Sequence, residues 1–160
     1  QLTSRHHKLE IRRPPGPLWV EGDCTRLAQM VLNLLTNSVK YTPAGGRIQV
    51  ILEATADQAL LRIRDDGVGI SAELLPHVFD LFVQAPQNLD RTEGGLGIGL
   101  SLVRELTRMH KGSVEAFSEG PGKGSEFVVR LPLLRPAVVP APVPLPPLVP
   151  EAPPPSTAPR

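Results

Sequence analysis

Three clusters in this 160-residue chain hold side chains whose types and spacing could do chemistry. In the first, Asn33, Asn37 and Lys40 stand at i, i+4 and i+7, which at about 100° per residue puts them on one stripe of a helix. Asparagine is a poor interior helix residue, so two on one edge ask for a reason. Carboxamide oxygens suit a hydrated hard cation such as Mg²⁺, and an amine one turn later suits phosphate. A solvated polar helix face is the competing explanation.

The second cluster is Asp65-Asp66-Gly67-Val68-Gly69-Ile70, where an apolar strand pattern runs out. An aspartate there can accept a hydrogen bond from an exocyclic amine such as that of adenine, while the glycines let backbone approach a flat ring. Asp-Gly pairs are also common turn formers, so this cluster alone is weak. The third is Gly94-Gly95-Leu96-Gly97-Ile98-Gly99-Leu100, opening onto a helix pattern. Unobstructed amides at a helix N-terminus make a cradle for phosphate oxygens. No Lys-Ser or Lys-Thr follows the last glycine, so it is not a P-loop.

These clusters need a scaffold, and the chain has length for one compact domain with 41% hydrophobic residues to fill its core. Seventeen basic against sixteen acidic side chains give a charge of +1, so no nucleic-acid footprint is expected and phosphate binding must be local. The single cysteine, Cys24, excludes an internal disulfide and a multi-cysteine metal site, and fits a reducing, cytoplasmic setting. Neither terminus carries an uninterrupted apolar span, so no membrane contact is expected from this segment, although a longer parent could be anchored.

Apolar periodicity predicts a helix capped by Asp23 and running to about Tyr41, with Leu27, Met30, Val31, Leu34 and Leu35 facing a core. A second helix is predicted at residues 98–110, with Lys111-Gly112 as its stop. Strands are expected at residues 7–12, 18–21, 47–54, 60–65, 113–118 and 125–131. The expected fold is α+β: a two-layer sandwich with helices on one face of a mixed, mainly antiparallel sheet. Twelve of the nineteen prolines lie in residues 132–160, so the domain is expected at residues 1–132 and an extended, disordered linker at 133–160.

The order of the motifs is more specific than any one of them. Asn33 to Tyr41, then Asp65 to Gly69, then Phe79-x-x-Phe82, then Gly95 to Leu100 resembles the N, first glycine, F and second glycine boxes of sensor histidine kinase catalytic domains. The resemblance covers about residues 20–132, and the fold it implies, the Bergerat ATP-binding type, is shared with gyrase, heat-shock chaperone and mismatch-repair ATPases. It implies Asn37 as the principal Mg²⁺ ligand with Asn33 assisting, Lys40 reaching phosphate and Tyr41 against the nucleoside. Asp65 would recognise adenine, supported by Ser125. Gly67, Gly69 and Ile70 would line the base pocket. Gly95, Gly97, Ile98, Gly99 and Leu100 would meet the phosphates, with Arg91 a further contact. Residues 71–93 would form a lid over ATP, with Phe79 and Phe82 as its apolar anchors.

The implied activity is transfer of the γ-phosphoryl of Mg·ATP to a histidine on a dimerisation helix of the same protein, implied to be a homodimer, then to a response regulator receiver domain. Hydrolysing relatives usually carry glutamate at the position of Asn33, and asparagine cannot take a proton from water. None of His6, His7, His77 or His110 has the context of an accepting histidine, and all four read as surface or loop residues. The proline-rich segment would suit a tether to a fused receiver domain. The alternatives are a nucleotide-binding interaction module, a serine kinase of the anti-sigma kind, and an ATP-hydrolysing machine.

Overall fold

The computed structural model describes residues 6–83 and 98–134. Five strands, β1 (Lys8–Arg12), β2 (Arg47–Ala54), β3 (Gln58–Asp65), β4 (Ser113–Phe117) and β5 (Ser125–Pro132), form one sheet with two α-helices, α1 (Cys24–Tyr41) and α2 (Gly99–Met109). The strand order is β1-β2-β3-β5-β4, with β1 parallel to β2 and every other pairing antiparallel. This is the mixed, mainly antiparallel two-layer arrangement that the patterns predict.

The helix α1 starts where Asp23 accepts the Arg26 N–H at 3.0 Å. It ends at Thr42, whose N–H reaches the Ser38 carbonyl before Pro43. Met30 and Leu34 on its inner stripe are buried against Ile48, Ile63, Phe127 and Val129 of the sheet and against Val103 and Leu106 of α2. Strand alternation supplies the other half of this core, because Ile63 pairs with Phe127 and Leu61 with Val129, so large apolar side chains share the helix-facing side. A buried leucine such as Leu34 is worth about 2–5 kcal/mol against alanine in a core of this kind.

One expected strand is corrected. Residues 18–21 do not form a strand; the segment meets its neighbour only at the isolated Val20–Leu133 bridge, where the Leu134 N–H bonds the Trp19 carbonyl. The stop of α2 falls at Lys111-Gly112, as expected. Lys111 takes the left-handed conformation at φ +57°, its N–H bonding the Arg108 carbonyl while the Gly112 N–H bonds that of Thr107. These are the two bonds of a Schellman motif. Gly112 also lets β5 come close, since a Cβ there would stand 2.2 Å from the Arg130 carbonyl oxygen.

Candidate functional site

The register of β3 against β5 builds the first part of the site. Asp65 and Ser125 are direct partners at the ends of their strands, so their side chains project side by side on the helix-facing side. The Ser125 hydroxyl donates to Asp65 Oδ2 at 2.7 Å, and the Gly67 N–H donates to Oδ1 at 2.9 Å. Asp65 is only 4% exposed, so both carboxylate oxygens are buried with donors in place.

The loop after Asp65 is tied down on both sides. Asp66 Oδ1 accepts the Arg47 N–H at 2.7 Å, and the Val68 N–H reaches the Tyr41 carbonyl at 3.0 Å. From the β4–β5 turn, the Gly122 N–H bonds the Val68 carbonyl and the Gly124 N–H bonds that of Gly67. Such close backbone contact requires glycine. A Cβ on Gly67 would lie 2.4 Å from the Tyr41 carbonyl oxygen, and one on Gly69, at φ +70°, would lie 2.1 Å from that of Gly120. Ser118 closes the turn, donating to the Gly124 carbonyl while accepting the Ile70 N–H.

Between this loop, the last turns of α1 and the start of α2 lies a cavity of about 300 Å³. Its lining brings together Asn33, Asn37, Lys40 and Tyr41 of α1, Gly69 and Ile70 of the loop, Ile98, Gly99 and Leu100 at α2, and Ser125 of β5. Asp65 and Gly67 do not line it directly; they stand behind Ser125 and the loop, joined through the hydrogen bonds above. Arg91, Gly95 and Gly97 lie outside the described residues.

Thr36, Val68, Leu74, Val78, Val83 and Phe127 also line the cavity without having been expected there one by one, although Val68 lies in the second cluster and Leu74, Val78 and Val83 fall in the segment expected to cover ATP. Thr36 and Phe127 carried a legible signal. Thr36 lies three residues beyond Asn33 on α1, and Phe127 lies two beyond Ser125 on the same side of its strand. Which of the side chains in residues 74–83 reach the cavity depends on how that segment folds back.

The Lys40 amine sits 5.1 Å from the centre of the Tyr41 ring, a cation–π distance. Asn33 Nδ2 is buried without a hydrogen-bond partner among the described residues. An orphaned carboxamide facing a cavity beside a second asparagine and an amine fits a ligand that brings oxygen atoms and a hard cation.

Of the expected aromatic anchors, Phe79 packs edge-on against Phe127 at 6.2 Å and 81°, whereas Phe82 is 71% exposed with φ +63°. Residues 75–77 form a short 3₁₀ turn, followed by Asp80, which accepts from Arg104 of α2 at 3.1 Å and lies 3.0 Å from His77 Nδ1. The His77 hydrogen bond first, then that of Arg104, holds the Asp80 carboxyl below its ordinary range.

Two of the histidines read as surface or loop residues, His7 and His110, do lie outside helix and strand, and there they are half-buried and tie the scaffold together. His110 Nδ1 lies 2.7 Å from the Leu106 carbonyl, and its Nε2 accepts the Asp23 N–H at 3.1 Å, stapling the end of α2 to the start of α1. That pair of contacts selects the neutral tautomer with the proton on Nδ1. His7 Nε2 lies 3.1 Å from the Thr42 carbonyl.

Comparison with known proteins places this geometry. Residues 22–135 match the family described as histidine kinase-, DNA gyrase B-, and HSP90-like ATPase. The chain is 40% identical over 141 residues to the sensor histidine kinase RcsC of Escherichia coli, covering 82% of the chain and 15% of that protein. It is 39% identical over 140 residues to the hybrid signal transduction histidine kinase D of Dictyostelium discoideum, covering 72% of the chain and 9% of that protein. The chain thus spans a small part of the length of these curated relatives. Among solved structures, the mycobacterial sensor histidine kinase MprB superposes with a TM-score of 0.73 at 30% identity, covering 82% of this chain and 88% of that one. Full-length ShkA in complex with AMPPNP superposes with a TM-score of 0.69 at 25% identity, covering 82% of this chain and 26% of that one.

Proposed function

Because the chain belongs to the family of histidine kinase-, DNA gyrase B- and HSP90-like ATPases, we propose that it binds Mg·ATP in the cavity between α1, the 65–70 loop and α2. From there it delivers the γ-phosphoryl to a histidine on a dimerisation helix outside residues 1–160. The observation that carries transfer over hydrolysis is the chemistry of the wall. Among the described residues lining the cavity there is no carboxylate, and Asn33 stands where a proton acceptor for water would be needed.

Asp65 accepts the adenine amino group. Its partner Ser125 has one proton and uses it on Oδ2, so the pair presents acceptor capacity rather than a donor. Gly67 and Gly69 let the loop pack against the Tyr41 and Gly120 backbone, Ile70 and Val68 provide the apolar wall of the base pocket, and Tyr41 flanks the nucleoside. Lys40, held over Tyr41, swings its amine to phosphate, and the backbone at Gly99 and Leu100 adds the positive end of α2. Asn37, with Asn33 assisting, would hold Mg²⁺, which when bound neutralises charge on the phosphate oxygens. In the transfer itself a nitrogen–phosphorus bond forms to the incoming imidazole, the bond to the bridging oxygen breaks, and ADP leaves; the protein contributes positioning and charge.

We further read residues 133–160 as a linker, the parent as a dimeric cytoplasmic kinase that passes the phosphoryl group to a receiver domain, and a hybrid architecture as the context. The relative from Dictyostelium, named a hybrid kinase, supports that reading. No helix among the described residues is long and apolar enough to cross a membrane. In the parent protein beyond residue 160, an aspartate-bearing α/β domain supports the hybrid reading, and its absence ends it.

The decisive experiment supplies radiolabelled ATP, Mg²⁺ and the parent's histidine-bearing helix to the chain. Acid-labile, base-stable label on the helix is the expected result. Acid-stable label would mean a serine kinase, no label a binding module, and rapid steady-state hydrolysis by the chain alone an ATPase.

A further inference from the structure

A second cavity, about 270 Å³, lies at the other end of the helix–sheet interface from the nucleotide site. Aliphatic side chains dominate it: Leu27 and Met30 of α1, Leu61 and Leu131 of the sheet, and Leu18 and Val20 of the connection between β1 and α1. Among the described residues on its wall, Arg13 is the one charged side chain. Water gains little in such a site, because each molecule needs two to four polar partners.

The chain leaves the described fold along the rim of this cavity. Leu131 lines it, Leu133 bridges Val20, and the Leu134 N–H bonds the Trp19 carbonyl at 2.7 Å. Beyond stand 26 residues, 135–160, whose composition suits a polyproline helix. That helix has three residues per turn, so positions three apart share an edge. Val139, Pro142, Leu145, Leu148 and Glu151 fall on one such edge. Glu151 is the only acid after residue 132, and on this edge it follows the apolar side chains as Arg13 adjoins the aliphatic wall. From Leu134 to Leu145 the chain can extend about 34 Å at ~3.1 Å per residue, ample to turn back onto a cavity whose rim it has just left.

We propose that residues 139–151 dock on this cavity of their own domain, with Leu145 and Leu148 entering it and Glu151 pairing with Arg13. A preformed extended segment loses little conformational freedom on docking, and tethering makes the event intramolecular. The proline-rich segment is then a strap that leaves the domain in a set direction.

The sole cysteine, Cys24, provides the probe, because it is exposed at the first residue of α1, three residues before Leu27. A nitroxide placed on Cys24 of the full chain is expected to broaden the NMR signals of Leu145 and Leu148, with loss of that broadening in Leu145→Asp/Leu148→Asp. The same variant should leave amide shifts remote from the cavity unchanged, which separates undocking from unfolding. Arg13→Glu should reduce the broadening and Arg13→Glu/Glu151→Arg should restore it. Equal broadening in the full chain and the Leu145→Asp/Leu148→Asp variant overturns the proposal. So does broadening that appears when nitroxide-bearing and isotope-labelled chains are separate molecules, since a second copy would then be the occupant.

Discussion

Ser125 donates its hydroxyl proton to Asp65 Oδ2 across paired strand ends, 60 residues apart in sequence and 2.7 Å apart in space. The serine therefore sets which lone pairs of the carboxylate stay available to a ligand. Asp65→Asn is expected to weaken adenine nucleotide binding by about one to two orders of magnitude, because hydrogen bonds to charged groups contribute ~1.5–3 kcal/mol. Ser125→Ala leaves a buried oxygen without its donor and should lower stability by about 1–3 kcal/mol, while Ser125→Thr should retain both properties. Fluorescent-nucleotide titration and urea unfolding read the two effects separately. Unchanged nucleotide affinity in Asp65→Asn would remove Asp65 from the site.

Asn33 and Asn37 line the same cavity but should not be equivalent. Asn37→Ala is expected to abolish the Mg²⁺-dependent part of nucleotide binding and to slow phosphoryl transfer by at least about a hundredfold, since metal charge stabilisation is worth several kcal/mol. Binding measured in EDTA should be little changed. Asn33→Ala should lose less, in keeping with an assisting role. Calorimetric titrations with and without Mg²⁺ distinguish these outcomes, and equal effects with and without the metal would contradict the assignment.

The end of α2 supplies a stability test that is independent of the ligand. Lys111 holds a left-handed conformation that costs an L-residue about 1–2 kcal/mol, so Lys111→Gly should stabilise the domain by up to about 1 kcal/mol after glycine's extra unfolded-state entropy. Gly112→Ala should destabilise it, because its Cβ would meet the Arg130 backbone at 2.2 Å. Thermal unfolding midpoints of the two variants should move in opposite directions.

Asp80 supplies a pH test. Its carboxyl is held below the ordinary range by the His77 hydrogen bond and then by Arg104, so its folded-state value lies below its unfolded one. The stability it contributes is therefore present above the unfolded value, about pH 3.9, and lost as pH falls through the folded value. Because the pair is exposed, the size should be small and should shrink with salt. In a carboxyl NMR titration, His77→Ala should raise the Asp80 midpoint more than Arg104→Ala does. No rise in either variant would show that these contacts are not held in solution.

Much of the architecture was legible because it follows from local repetition. The apolar stripe from Leu27 to Leu35 and the Asp23 cap set α1, and the alternation in residues 58–65 and 125–132 set two neighbouring strands. The ordered motifs also carried the family resemblance. What was not legible depends on contacts between segments distant in sequence. Residues 18–21 look like a strand, but only Val20 finds a bridge partner, Leu133. Gly112 is legible as part of a helix stop, but the approach of Arg130, which requires a glycine there, is not. His110 reads as a surface or loop residue, and its turn position holds, but its bond from the Asp23 N–H is invisible in the sequence.

By itself, then, the sequence determined that Asn33, Asn37 and Lys40 share a stripe through helical periodicity alone, and that the glycines at 67 and 69 mark backbone that must come close. Only the tertiary structure decided that Asp65 faces Ser125, that Phe127 floors the same cavity, that Phe79 is anchored while Phe82 is exposed, and that a second apolar cavity opens where the proline-rich segment departs. The physical reason is range: periodicity and capping act within a few residues, whereas strand register and chain return bring together side chains whose separation in sequence carries no local signal.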